Sequence, residues 1–285
     1  MKTLLVNRLL LSKLVITTAL SLGLSVAASA SVLKPSTNLN SSLTASQNSS
    51  FNANRVLAEQ GDAEAQYELA LDYDEQENYI ESVKWYRKAA NQGYTEAQYN
   101  LAWMYSHGQG VPQNYEQARK WYLKAAEQGD SDAQFNLGIY YDEGKGVPVD
   151  HAKAAEWYRK AADQGDADAQ YNLAVAYDEG EGVKQSHTKA VALYRQAAEQ
   201  GHATAQYNLA VSYDEGEGVP QSKAEAFRWY TESAEQGYVD AQHNLAIMYY
   251  NGEGIRQSSD KAKEWFGVAC DNGHLPSCKE YRNLD

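Results

Sequence analysis

Three carboxylate pairs recur along this chain at one interval: Asp142/Glu143, Asp178/Glu179 and Asp214/Glu215, each after a Tyr and before Gly-x-Gly-Val. Such a stretch could hold a metal ion, cradle a phosphate or simply end a helix. A calcium loop needs the denser alternation D-x-D-x-D-G. A dinucleotide turn needs a third Gly and a preceding strand, and the residues before these pairs read as helix. At a helix C-terminus a carboxylate faces the negative end of the macrodipole, at a cost of a few tenths of a kcal/mol. Either a cationic partner uses the ladder, or repeat duplication has carried it along.

Other residue types that do chemistry are thinly spread. The six His residues lack the i, i+4 spacing of a zinc helix and read as solvated helix or loop positions. Ser186-His187-Thr188-Lys189 and Ser258-Ser259-Asp260-Lys261 fit the S-x-x-K nucleophile motif of penicillin-recognising hydrolases, but neither S-D-N nor K-T-G occurs. Two Cys, Cys270 and Cys278, are too few for a metal site without a nearby His pair; an oxidising compartment would allow a disulfide. The expectation is no catalytic residue, no metal and no cofactor.

The chain has 285 residues, a formal net charge of −13 and 43% hydrophobic residues. That charge repels nucleic acid and anionic membranes and favours basic proteins, peptides or cations. Residues 1–30 have a basic start (Lys2, Arg8, Lys13), an apolar run and Ala28-Ser29-Ala30, the pattern of a secretory signal peptide. Its uninterrupted apolar run is shorter than the ~20 residues of a membrane span. No membrane insertion is expected after its removal, and the location is periplasmic or secreted. Residues 31–54, rich in Ser, Asn and Thr, read as a flexible lead-in.

The elements that position the carboxylates come from a repeat. "AQYNLA" or a variant starts at Ala65, Ala97, Ala133, Ala169, Ala205 and Ala241, and "WYRKAA" or a variant at Trp85, Trp121, Trp157, Leu193, Trp229 and Trp265. Ala97, Leu101 and Tyr105 form one helical stripe, and Ala118, Trp121, Tyr122 and Ala125 another. Asn78, Asn114, Asp150, Ser186, Ser222 and Ser258 stand as N-caps before the second helix, which accounts for both S-x-x-K serines. A Gly follows each second helix. Repeat one lacks four residues in its loop. Paired helices that bury both faces by stacking make an all-α, right-handed α/α superhelical solenoid of six helix-turn-helix repeats. It spans residues 55–285, with repeats near 62–93, 94–129, 130–165, 166–201, 202–237 and 238–273 and a C-terminal cap over 274–285.

The pattern AxAQYNLAxxYxxGxGV…A…WYxKAAEQG resembles the Sel1-like repeat family, relatives of the tetratricopeptide repeats. The resemblance implies a protein-interaction scaffold, common among exported bacterial proteins, and names no partner. It also implies a Cys270–Cys278 disulfide, as in a cysteine-rich subgroup where such a bond joins one repeat to the next. Some members of that subgroup are linked to penicillin binding, so a hydrolase is the rival from another class. A cell-envelope assembly factor binding through its convex face is a third reading. By likeness to tetratricopeptide repeats, the first helix lines a concave groove. Its columns then hold Tyr99, Tyr171 and Tyr207 beside Asn100, Asn172 and Asn208, with the carboxylate pairs at the helix ends. Such a groove would suit a basic peptide or protein surface and a monomeric chain. Tyr and Asn in those columns fit inter-repeat stacking equally well.

Overall fold

The computed structural model of the chain describes residues 45–284. The expected signal peptide and residues 31–44 lie outside the described residues. Among those described there are fourteen helices and no strands: α1 (Ala45–Gln60), α2 (Ala63–Glu75), α3 (Tyr79–Asn91), α4 (Thr95–His107), α5 (Tyr115–Glu127), α6 (Ser131–Glu143), α7 (His151–Asp163), α8 (Ala167–Glu179), α9 (His187–Glu199), α10 (Ala203–Glu215), α11 (Lys223–Glu235), α12 (Val239–Asn251), α13 (Ser259–Asp271) and α14 (Leu275–Asn283). Each packs chiefly on its neighbours in the chain, as in an all-α solenoid of paired helices. The first helix of each repeat is even-numbered and the second odd-numbered. Helix α1 takes up residues 45–54, a stretch expected to lead in flexibly; Phe51 lies edge-to-face on Tyr73 at 5.6 Å and gives it an apolar anchor.

The stripes read from the sequence form the core. Leu101, Leu137, Leu173, Leu209 and Leu245 are almost wholly buried, as are Tyr86, Tyr122, Tyr158, Tyr194 and Tyr230 on the second helices. Full burial of one such Leu stabilises by roughly 1.5–3 kcal/mol. Small Ala residues, such as Ala125 and Ala126, bring the helices close.

Five of the six expected second-helix caps close a hydrogen bond, from Asn114 Oδ1, which accepts from Gln117 N at 3.0 Å, to Ser258 Oγ, which accepts from Lys261 N at 3.3 Å. Asn78 is the exception: it stands at the cap but makes no side-chain bond, with ψ 64°. The shortened loop of repeat one leaves it no room for the extended backbone of the other five. First helices have caps that sequence reading passed over: Asp62, Asp130, Asp166 and His202.

A second continuous feature escaped the sequence reading. The Gln of each AQYNLA block is buried. Gln206 Nε2 donates to Ala198 O at 3.1 Å, and Gln206 Oε1 accepts from Gln236 Nε2 at 2.7 Å. The same pair of bonds recurs around Gln66, Gln98, Gln134, Gln170 and Gln242. Each Gln ties the end of one repeat to both helices of the next.

Candidate functional site

The carboxylate pairs sit in the last turns of α6, α8 and α10, and a left-handed Gly follows each. The first acid of every pair has a basic side chain from its own repeat. Asp142 Oδ1 meets His151 Nδ1 at 2.7 Å, Asp178 Oδ1 meets His187 Nδ1 at 2.7 Å, and Asp214 Oδ1 meets Lys223 Nζ at 2.6 Å. His151, His187 and Lys223 are the first residues of α7, α9 and α11. A carboxylate at a helix C-terminus is unfavourable, and so is a cation at a helix N-terminus. The loop brings the two together and each offsets the other. Where α4 ends in Ser106 rather than Asp, the matching first residue is Tyr115; where α12 ends in Tyr250, it is Ser259. Acid and basic residue thus occur together or not at all in repeats two to six.

The next repeat adds a further acid. Gly182 lies so close to the His151 carbonyl that a Cβ there would overlap it, and Gly218 and Gly254 approach His187 and Lys223 in the same way. This approach carries Glu253 Oε2 to 3.1 Å from Lys223 Nζ. Burial lowers the Lys223 pKa, but bonds to Asp214 and Glu253 outweigh it and the net shift is upward. The hydrogen bond to Asp142 raises the His151 pKa, with a smaller contribution from Glu181. The second acids of the pairs, Glu143, Glu179 and Glu215, are exposed, and Glu143 reaches Lys145 Nζ at 2.6 Å.

The Tyr and Asn columns make contacts both within and between repeats. Tyr99 packs on Tyr122 at 5.5 Å, Tyr171 stacks on His202 at 4.7 Å, and Tyr207 lies 4.9 Å from Tyr238. The Asn100 amide reaches the hydroxyls of Tyr67 and Tyr86 in the preceding repeat, and Asn208 does the same for Tyr171 and Tyr194. Asn172 is half-buried in this column, and the preceding ring there is Phe135, which has no hydroxyl. Burial pushes the Tyr171 pKa up to about 12.

Further carboxylates line the starts of the first helices. Glu64, Glu96, Asp132 and Asp168 are exposed, one per repeat. Burial, then Asp166, raises the Asp132 pKa; the Asp168 pKa falls because His202 Nε2 lies 3.2 Å away. The histidines are therefore less solvated than their scatter suggested: His151, His187 and His202 face carboxylates, and His243 is half-buried with Nδ1 2.8 Å from Ser277 Oγ. Among the described residues, no three His, Cys, Asp or Glu side chains converge so as to hold a metal ion.

Cys270 and Cys278 are joined by a disulfide, which fastens α13 to α14 with a Cα–Cα distance of 4.6 Å. Such a bond is compatible with an extracytoplasmic protein. No helix among the described residues is long and apolar enough to cross a membrane.

The Sel1 repeat profile matches six successive segments, residues 63–94, 95–130, 131–166, 167–202, 203–238 and 239–274. The chain belongs to the Sel1 repeat family. A protective antigen of uropathogenic Escherichia coli, c5321, is 38% identical with a TM-score of 0.78; the match covers 81% of this chain and 50% of that one. A Sel1 repeat protein from Oxalobacter formigenes is 34% identical with a TM-score of 0.68, over 76% of this chain and 86% of that one. The chain thus spans about half the length of the Escherichia coli antigen. No curated protein matches the chain. A stack of Sel1 repeats fits a protein-interaction role.

Proposed function

We propose that this Sel1 repeat protein is exported and acts without catalysis, as a scaffold that holds a basic peptide or protein surface along the ends of its first helices. The observation behind this reading is the periodic display of exposed acid: Glu96, Asp132 and Asp168 at one end, Glu143, Glu179 and Glu215 at the other. Between them the half-buried Tyr99, Tyr171 and Tyr207 and the cross-repeat amides of Asn100 and Asn208 form a floor fixed by packing. Asp142, Asp178 and Asp214 set the helix ends and keep His151, His187 and Lys223 in place, so their part in binding is indirect. The serines of both S-x-x-K segments serve as helix caps, which supports binding over hydrolysis.

The test is fluorescence anisotropy with an oligolysine peptide, against an oligoglutamate control, at 50 and 300 mM salt. Binding of the lysine peptide alone should weaken with salt and fall at least fivefold when Glu143, Glu179 and Glu215 all become Gln. Unchanged affinity in that variant would place the partner elsewhere. One observation favours such an alternative. Lys88, Lys124 and Lys160 lie 3.5, 3.9 and 3.7 Å from the ring centres of Trp85, Trp121 and Trp157, a basic stripe on the second helices suited to an acidic partner in envelope assembly.

A further inference from the structure

The last junction of the stack breaks three columns at once. His243 stands on α12 where the earlier first helices carry Tyr67, Tyr99, Phe135, Tyr171 and Tyr207. Ser277 stands on α14 where they carry Ala, from Ala65 to Ala241. His274 caps α14, whereas Asp62, Asp130 and Asp166 cap α2, α6 and α8. The three departures meet in space. The rings of His243 and His274 lie 4.4 Å apart, and both Nδ1 atoms lie 2.8 Å from Ser277 Oγ, on a residue that is 0% exposed.

The donors fix where the protons sit. Ser277 N donates to His274 Nδ1 at 3.2 Å, so that nitrogen carries a lone pair and the ring proton is on Nε2, 3.9 Å from Asp240 Oδ1. The single proton of the Ser277 hydroxyl goes to the same lone pair, and His243 Nδ1–H donates to Oγ. With both rings neutral, the Ser277 amide and hydroxyl and both Nδ1 atoms are paired. A proton on His274 Nδ1 turns the acceptor into a donor that faces Ser277 N–H. The cap bond is then lost, and the imidazolium has Asp240 as its partner. Other charges stand away from the pair: Asp271 of α13 and Lys279 and Glu280 of α14 form no ion pair with either ring, and α13 contributes the uncharged Phe266 ring, 5.6 Å from His243. Burial, then His274, lowers the His243 pKa to about 4.

Helix α14 depends on that cap. It has nine residues and rests chiefly on α13, where Tyr281 lies over Gly267 and Leu284 packs on the cluster of Ala246, Ala262 and Phe266. A helix of that length is marginal by itself. The Cys270–Cys278 disulfide holds its first turn to α13 whatever the state of the cap.

We propose that α14 is an acid-operated flap: protonation of His274 exchanges its cap bond to Ser277 for an ion pair with Asp240, and α14 loosens on its disulfide tether to uncover Gly267 and Phe266 of α13. The device is separate from the acidic ladder of Glu143, Glu179 and Glu215, and neither depends on the other.

The experiment follows hydrogen exchange of the full chain by mass spectrometry at pH 7.5 and 5, corrected for the intrinsic rate. Exchange in α14 should rise at least fivefold more than in α10, roughly the worth of one N-cap, and should return to its starting value when the sample is brought back to pH 7.5. Helix α10 is the internal reference: His202 Nδ1 accepts from Ala205 N at 3.1 Å with Asp168 beside it, but α9 and α11 hold that helix on both sides. His274→Asp supplies the acceptor that α2, α6 and α8 use, and exchange in its α14 should stay within twofold between the two pH values. His243 is untouched in that variant, so an acid response that comes from His243 alone would persist there. Equal protection of α14 at both pH values in wild type, or the same loss in wild type and His274→Asp, overturns the proposal. So does an equal rise in α10 and α14, which marks a general loosening of the stack.

Discussion

Replacing Gln206 by Glu changes one atom in the buried ladder and should be among the most damaging isosteric changes available. Gln206 is 4% exposed. Its amide donates to Ala198 O at 3.1 Å, and its carbonyl accepts from Gln236 at 2.7 Å. A carboxylate keeps the second bond but turns an oxygen on the Ala198 carbonyl, so a bond worth about 1 kcal/mol becomes a repulsion. Burial raises a carboxyl pKa by up to about 3–5 units, and each unit is about 1.4 kcal/mol. At pH 7 the variant should therefore be less stable than wild type by about 3–5 kcal/mol. The sign of its pH dependence is fixed. The folded pKa lies above the unfolded value, so the group binds more protons folded than unfolded and the deficit grows as pH rises. Near pH 5 the protonated acid can donate to Ala198 O, and the deficit should shrink to about 1 kcal/mol or less. Urea unfolding of both proteins at pH 5 and 7 reads this directly. A variant within 1 kcal/mol of wild type at pH 7, or equally weak at both pH values, refutes the ladder as a structural tie.

Gly182→Ala should cost at least 2 kcal/mol, because φ is 70° and the new Cβ meets the His151 carbonyl; Gly165→Ala, at φ 96° with open space around it, should cost only about 1 kcal/mol. Thermal melts of the two variants side by side make that comparison. The raised His151 pKa means its contribution is fully present below about pH 6.5 and fades as pH rises through the folded value, so His151→Gln should lower the midpoint at pH 6 and change little at pH 9. His243, lowered to about 4 chiefly by burial, works the other way: stability should fall as pH drops from 6.5 towards 4, and His243→Phe should flatten that slope. Reducing Cys270–Cys278 should cost about 2–3 kcal/mol, with hydrogen exchange rising first in α14. Exchange unchanged in α14 would mean that packing alone holds the last helix.

Most of the fold was legible because its signals are local. Helix stripes need residues three and four apart, a cap bond spans three residues, and a turning Gly acts alone. Asn78 shows the limit of that logic: its type and position promise a cap, but the shortened loop denies it the backbone to make one. The candidate face was legible by residue and not by use. Asn100 and Asn208 read equally as ligand grips or as inter-repeat bonds, and only the stacked helices show them reaching Tyr67 and Tyr171.

The sequence by itself determined the period, the two helices of each repeat and the copying of one acid-rich turn. Tertiary structure alone decided which side chains the first carboxylate of each pair meets. Asp178 and His187 are nine residues apart, across a loop whose closure no local pattern specifies. Gln206 and Gln236 are thirty apart and meet only because the two helices of their repeat pack together. A charge in sequence is only a charge; whether it is spent within the fold or offered to a partner depends on what the folded chain brings within three ångströms of it.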